Sequence, residues 1–198
     1  MNYALIKNGW SLLLILLTNL ALVNSLAAAS HQQPDAETRQ ALRAAIQQAK
    51  SFPDRFAAEV WLVDMDHRLT RFVKNPQQRM HILQRVHLEA SRYQLQPEIV
   101  LAVMQVESTF DRFAVSPAGA LGLMQIMPFW RDELGQPSDN LMDISTNIQY
   151  GCAILSAYLK REKGNLRRAL ARYNGSLGKS WYPEKVFNAW QDQWYVNH

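Results

Sequence analysis

The sequence predicts a mainly α-helical fold with one small hairpin or loop region near its centre. Three observations carry this reading. Apolar residues recur at spacings of three and four through most of the chain beyond residue 35. Prolines fall where helical patterns begin, as at Pro53 and Pro97, and not inside them. One stretch, residues 109–128, breaks the periodicity with Ser116-Pro117-Ala118-Gly119 and Gly122, a turn-rich composition joining short extended pieces.

The elements follow in order. Lys7 is the only charge before residue 31, and an apolar run from Trp10 to Val23 leads to Ser25-Leu26-Ala27-Ala28-Ala29. A basic start, a short apolar core and small residues at its end predict a secretory signal peptide over residues 1–29. The run is short for a membrane span, so no stable span is expected after cleavage. Residues 31–38 are polar and read as a lead-in. A first helix is expected over 35–51, with Ala41, Leu42, Ala45 and Ile46 on one face. Pro53 opens a second, carrying Phe56, Val60, Trp61, Val63, Met65 and Leu69. Asn75-Pro76 punctuates before a third, about 77–93, with Met80, Leu83, Val86 and Tyr93 on its apolar side. Pro97 suits the first turn of a fourth, ending at Glu107. After the turn-rich stretch, helical periodicity returns over 129–134, 145–163, 165–173 and 183–195. The expected organisation is a signal peptide (1–29), an N-terminal helical extension packed on the catalytic domain (30–94) and the catalytic domain itself (95–198).

Composition narrows the chemistry. The formal net charge is +4, which suits an anionic polymer or surface. Lys and Arg form no block, so nucleic acid is not indicated. A single cysteine excludes an internal disulfide. Cys152 lies among apolar helical neighbours and reads as a small buried hydrophobe. His67, His81 and His87 lack zinc-ligand spacing, and Asp64 and Asp66 lie in a helix without a loop glycine, so no metal site is expected.

The chemistry concentrates at Glu107. It ends the nearly apolar run Ile99–Ser108 and shares a helical face with Val100, Val103 and Met104. A carboxylate on such a face is costly unless paired or protonated. Burial raises its pKa, and the negative end of a helix dipole raises it further. A carboxyl still partly protonated near neutrality is what a general acid requires. The alternative is a frayed helix end with Glu107 turned to water. Downstream, Gln125 lies between apolar residues, and its amide requires partners. These are either a ligand's hydroxyl and acetamido groups or the backbone of its own turn.

The segments Glu107-Ser108 and Ser116 through Pro128 together resemble the family-1, soluble-type lytic transglycosylases, whose catalytic domain is lysozyme-like. Asn147-Ile148 with Gly151 and Tyr158-Leu159, Ala169 through Asn174, and more loosely Tyr182-Pro183-Glu184-Lys185-Val186, are similar to later motifs of that family. The resemblance spans about residues 95–187. It implies an α+β lysozyme-like domain that acts on peptidoglycan glycan strands, needs no cofactor, and is exported to the periplasm. The reaction implied is non-hydrolytic cleavage of the β-1,4 bond between N-acetylmuramic acid and N-acetylglucosamine, leaving 1,6-anhydro ends. Glu107 acts in turn as acid and base. Ser116, Gln125 and Met127 are implied to line the cleft and hold the muramyl residue, and Tyr173 to sit near Glu107, orienting its carboxyl or stabilising charge, with Asn174 in support. Tyr182 corresponds to a late tyrosine of the family. Phe129-Trp130 and Trp181-Tyr182 flank these motifs as candidate sugar-stacking surfaces, whereas Trp190 and Trp194 read as core. Two positions depart from the family pattern: Arg172 stands where a small or apolar residue is usual, and Gly175-Ser176 follows Tyr173-Asn174. Only Asp111 offers a second carboxylate between Glu107 and Pro128, and it reads as solvated or Arg-paired. Asp132, Glu133, Asp139 and Asp143 remain open as partners in three dimensions, which leaves a goose-type-lysozyme-like hydrolase as a rival. A non-catalytic wall-binding protein is the second rival. Oligomeric state is not readable.

Overall fold

The computed structural model describes residues 36–47 and 50–196; the expected signal peptide lies outside them. From Ala36 onward the chain forms one compact unit. Its helices are α1 (Ala36–Gln47), α2 (Arg55–Leu69), α3 (Pro76–Arg92), α4 (Pro97–Ser108), α5 (Trp130–Leu134), α6 (Ile144–Arg161), α7 (Leu166–Tyr173) and α8 (Trp181–Ala189), followed by a π-helical turn, Trp190–Trp194. The mainly helical class read from the sequence holds. The central region is leaner than a hairpin: it contains two isolated antiparallel bridges, Val115 with Leu121 and Leu121 with Ile126. None of the described helices is long and apolar enough to cross a membrane.

Helix starts are set by side chains that satisfy the first free amides. Asp54 accepts from Ala57 N, Asn75 from Gln78 N, Asp143 from Thr146 N and Asn165 from Arg168 N. Pro76 and Pro97 occupy first turns, where a missing N–H costs nothing. The second helix thus begins just after Pro53, capped by Asp54.

The core is organised around α4, whose residues Glu98 through Met104 are all buried. It packs against α3, α8 and the π turn, while α3 in turn packs against α1, α2 and α6. Trp194 is fully buried and donates its indole N–H to Gln105 Oε1 at 2.7 Å. Trp190 is only half-buried. Between α2 and α3, the buried Asp66 accepts from Arg79 Nε at 2.5 Å, and Arg79 also donates to the carbonyls of Val73 and Lys74. A buried ion pair with its remaining donors satisfied fixes the register of this helical hairpin.

The apolar residues read on α2 divide between two sides. Phe56, Val60 and Val63 are 76%, 54% and 44% exposed, while Ala58, Leu62, Met65 and Leu69 form the buried side. Apolar and charged residues alternate around this helix without a clean stripe, so periodicity alone could not choose its inner face.

Candidate active site

Glu107 occupies the last turn of α4. Its face-mates Val100, Val103 and Met104 are fully buried, and Glu107 itself is half-buried. The helix stops at once: Thr109 and Phe110 both adopt left-handed backbone, with φ of 52° and 64°. Phe110 turns into the core beside Phe72 and Trp194. Ser108 Oγ lies 2.8 Å from the Leu123 carbonyl and 3.2 Å from that of Met104, and so ties the helix end to the following loop.

That loop, residues 114–128, is held largely by its own chain. Ser116 Oγ accepts from Ala120 N at 3.0 Å. Gln125, itself at φ 50°, donates Nε2 to the carbonyls of Gly122 and Ala114. Of the two partners open to this amide, its own backbone takes the Nε2 donor. Asn147, from the first turns of α6, clamps the loop from beneath. Its Oδ1 accepts from Met124 N at 2.7 Å, and its Nδ2 donates to the carbonyls of Leu121 and Leu141. Gly122 has φ +73°, and a Cβ there would fall 2.6 Å from Asn147 Nδ2. The glycine thus admits a close approach by the chain's own asparagine. Gly151, one turn along α6, likewise leaves room for Met124, whose Sδ would lie 2.2 Å from a Cβ.

Two tyrosines approach from the C-terminal helices. Tyr182, at the start of α8, donates its hydroxyl to Glu107 Oε1 at 2.5 Å. Tyr173, at the end of α7, donates to the Met124 carbonyl at 2.8 Å. The orienting hydrogen bond expected from Tyr173 comes instead from Tyr182. Tyr173 still lies close enough to feel the Glu107 charge, which together with burial holds its hydroxyl well above the ordinary tyrosine range. Burial and Glu107 do the same to Tyr182. Both phenols therefore remain protonated donors. Asn174 is an exposed C-cap of α7, and Met127 is half-buried on the loop.

Burial pushes the Glu107 carboxyl up from 4.5 to about 7, against a smaller downward pull from the Tyr182 hydrogen bond. No other carboxylate contributes to that shift. The remaining acids are employed elsewhere. Asp111 is exposed and accepts from Phe113 N, Asp132 and Glu133 are exposed on α5, Asp139 accepts from Tyr150, and Asp143 caps α6. Arg172 turns away from the tyrosines and pairs with Glu162, which Arg168 also holds. Among the described residues no cluster of three His, Cys, Asp or Glu is placed to hold a metal.

The family profile described as "Transglycosylase SLT domain" matches residues 85–194. The chain belongs to this family. Curated relatives include the membrane-bound lytic murein transglycosylase C of Yersinia pestis (strain Pestoides F), 36% identical over 109 residues, covering 47% of this chain and 30% of the relative. The protein of the same description from Yersinia pseudotuberculosis serotype O:1b (strain IP 31758) matches with the same figures. The chain thus spans under a third of the length of these relatives. Among solved structures, an inactive mutant of lytic transglycosylase Slt from Pseudomonas aeruginosa aligns at TM-score 0.45 and 24% identity, covering 78% of this chain and 25% of that one. The 70 kDa soluble lytic transglycosylase of Escherichia coli aligns at TM-score 0.45 and 22% identity, covering 80% and 26%. The SLT match begins inside α3, so α1 and α2 precede it.

Sequence reasoning missed two features of this SLT site. Asn147 was noted only as part of a later motif, yet it is the main support of the loop. No local signal singled it out, because it follows Ser145 and Thr146 in a mixed polar segment. The hydrogen bond of Tyr182 to Glu107 spans 75 residues and leaves no local pattern to read.

Proposed function

We propose that this protein is an exported lytic transglycosylase of peptidoglycan and that Glu107 is its single acid and base. The observation that carries the reading is a half-buried carboxyl, raised to about 7, that is hydrogen-bonded by Tyr182 and has no second carboxylate in its electrostatics. A group with this pKa is largely protonated at mildly acidic pH and deprotonates readily, which suits one residue to both halves of a proton-transfer cycle. Glycosidases that act through water or a covalent intermediate ordinarily require a carboxylate pair.

In the proposed reaction, Glu107 donates its proton to the oxygen between N-acetylmuramic acid and N-acetylglucosamine, and the C1–O bond breaks. The Glu107 carboxylate then accepts the proton of the muramyl C6 hydroxyl, whose oxygen bonds to C1 and closes the 1,6-anhydro ring. No water enters the products. The protonated hydroxyl of Tyr182 stabilises the transient carboxylate, while Tyr173 holds the loop through the Met124 carbonyl. Ser116, Gln125 and Met127 form the loop wall of the cleft. The amide oxygen of Gln125 receives no hydrogen bond among the described residues and is the natural acceptor for a substrate N–H or O–H. Asn174 caps the helix that presents Tyr173. Residues 30–94 act as a helical extension to this domain, and the periplasm is the site of action after removal of residues 1–29.

Digestion of purified sacculi followed by mass analysis of the muropeptides tests this. Products one water lighter than hydrolytic ones, lost in Glu107→Gln, are expected. Reducing-end products alone would replace the reading with a hydrolase. Equal digests from wild type and variant would leave a wall-binding protein.

A further inference from the structure

A cavity of about 550 Å³ opens on the other side of α4, lined by Trp61, His87, Glu98, Trp190 and Tyr195. Its size falls within the range of small-molecule sites. Glu98 and Glu107 stand nine residues apart on one helix, which is about two and a half turns and about 13 Å. The two carboxyl groups therefore leave α4 in opposite directions, and nothing at the Glu107 cleft uses this cavity.

Glu98 is only 8% exposed. Its Oε1 accepts the indole N–H of Trp61 at 2.7 Å. Its Oε2 takes no hydrogen bond and no cation pairs with it among the described residues. Oε2 is not among the buried atoms that lack a partner, so it is presented to the space of the cavity. Glu98 sits in the first turn of α4, where the helix end favours a negative charge but supplies less than a unit of countercharge. His87 supplies none, because burial lowers its pKa to about 4 and leaves the ring neutral. That ring lies 3.4 Å over Phe52, and its Nδ1 is 2.8 Å from Ser51 Oγ.

The remaining walls combine the rings of Trp61, Trp190 and Tyr195 with Leu95, Gln96, Pro97 and Val196. Trp61 meets His87 edge-on, and Trp190 meets Tyr195 edge-on at 5.1 Å between centroids. Aromatic faces carry negative quadrupole and attract cations. A neutral sugar would leave the Glu98 charge uncompensated, and an anion would be repelled by it. The arrangement matches a positively charged nitrogen on an apolar stem.

We propose that this cavity binds an alkylammonium group, the chemistry of a lysine or diamino-acid side chain. Glu98 Oε2 is the counter-ion, and Trp61, Trp190 and Tyr195 surround the stem. The proposal does not depend on the reaction at Glu107.

The test is an NMR titration of the ¹⁵N-labelled full chain with n-pentylammonium chloride and with Nα-acetyl-lysine methylamide, following the Trp61 indole N–H. A saturable shift is expected with both. Glu98→Gln keeps an acceptor for Trp61 but removes the charge, and it should weaken binding at least about tenfold. Trp190→Leu, which leaves Glu98 in place, should weaken it as well. The Nε-acetylated lysine compound should not bind, and Glu107→Gln should give the wild-type isotherm. The proposal is overturned by no saturable shift in the millimolar range, by undiminished binding to Glu98→Gln, or by equal binding of the acetylated compound. A Trp61 shift produced by N-acetylglucosamine oligomers and not by the amines would also overturn it.

Discussion

Tyr182 lies 75 residues beyond Glu107 in the chain and donates its hydroxyl to Glu107 Oε1 at 2.5 Å. The bond joins the end of α4 to the start of α8, two helices packed directly against one another. Burial and hydrogen bonding act on Glu107 in opposite directions, and burial prevails. The carboxyl is thereby both oriented and kept protonated to unusually high pH, and the first prediction rests on that pairing.

Sacculus digestion should weaken as pH rises through about 7, because the acid form of Glu107 is then lost. The base role needs no separate titration, since the carboxylate is generated within each turnover. Glu107→Gln should lower kcat/KM by roughly 10²- to 10⁴-fold. A pH–rate profile measured on solubilised glycan checks this; a basic limb near 4.5 would contradict the buried acid.

Tyr182→Phe should move that limb to higher pH, because the hydrogen bond it removes holds the carboxyl down. Its rate should also fall, by about tenfold or more, as the carboxyl loses its orientation. Tyr173→Phe should leave the limb in place and cost about 1 kcal/mol of stability through the Met124 carbonyl. Identical profiles from the two variants would refute the division of labour.

Glu107 should also set a pH dependence of stability. Below 4.5 it is protonated in both folded and unfolded chains; between 4.5 and about 7 only the folded protein holds the proton. Stability is therefore full below 4.5 and declines as pH rises through about 7, by on the order of 3 kcal/mol. Glu107→Gln should melt above wild type at pH 8 and alongside it at pH 4, as calorimetry can show.

Asn147→Ala should be among the most damaging changes outside the cleft. It removes bonds to Met124 N, Leu121 O and Leu141 O in a buried setting. A loss of about 3 kcal/mol is expected from the groups left unpaired. Urea unfolding measures it, and a loss below 1 kcal/mol would show that water replaces the amide.

Much of this was legible in sequence where the signal is local. Pro76, Pro97, Asn75 and Asn165 marked helix starts, and the mixture of Glu107 with Val100, Val103 and Met104 marked a buried acid. What stayed hidden depended on pairings across the chain. Nothing near Phe56, Val60 and Val63 says that they face water, because the decision is made by the α1 and α3 surfaces that cover the opposite side. Nothing near Tyr173 says that its hydroxyl meets the Met124 carbonyl and leaves the carboxyl to Tyr182. Nothing near Arg172, which stands where a small or apolar residue is usual, says that it pairs with Glu162 ten residues earlier.

The loop from Ala114 to Pro128 spends Ser116 Oγ and the Gln125 amide donor on its own backbone, and Asn147, Tyr173 and Ser108 support it from outside. Its conformational entropy is surrendered during folding and not on encounter with a ligand. In the proposed reaction, a glycan entering the cleft would meet a wall with little ordering left to do, so most of its contact energy would remain to hold the sugar against Glu107.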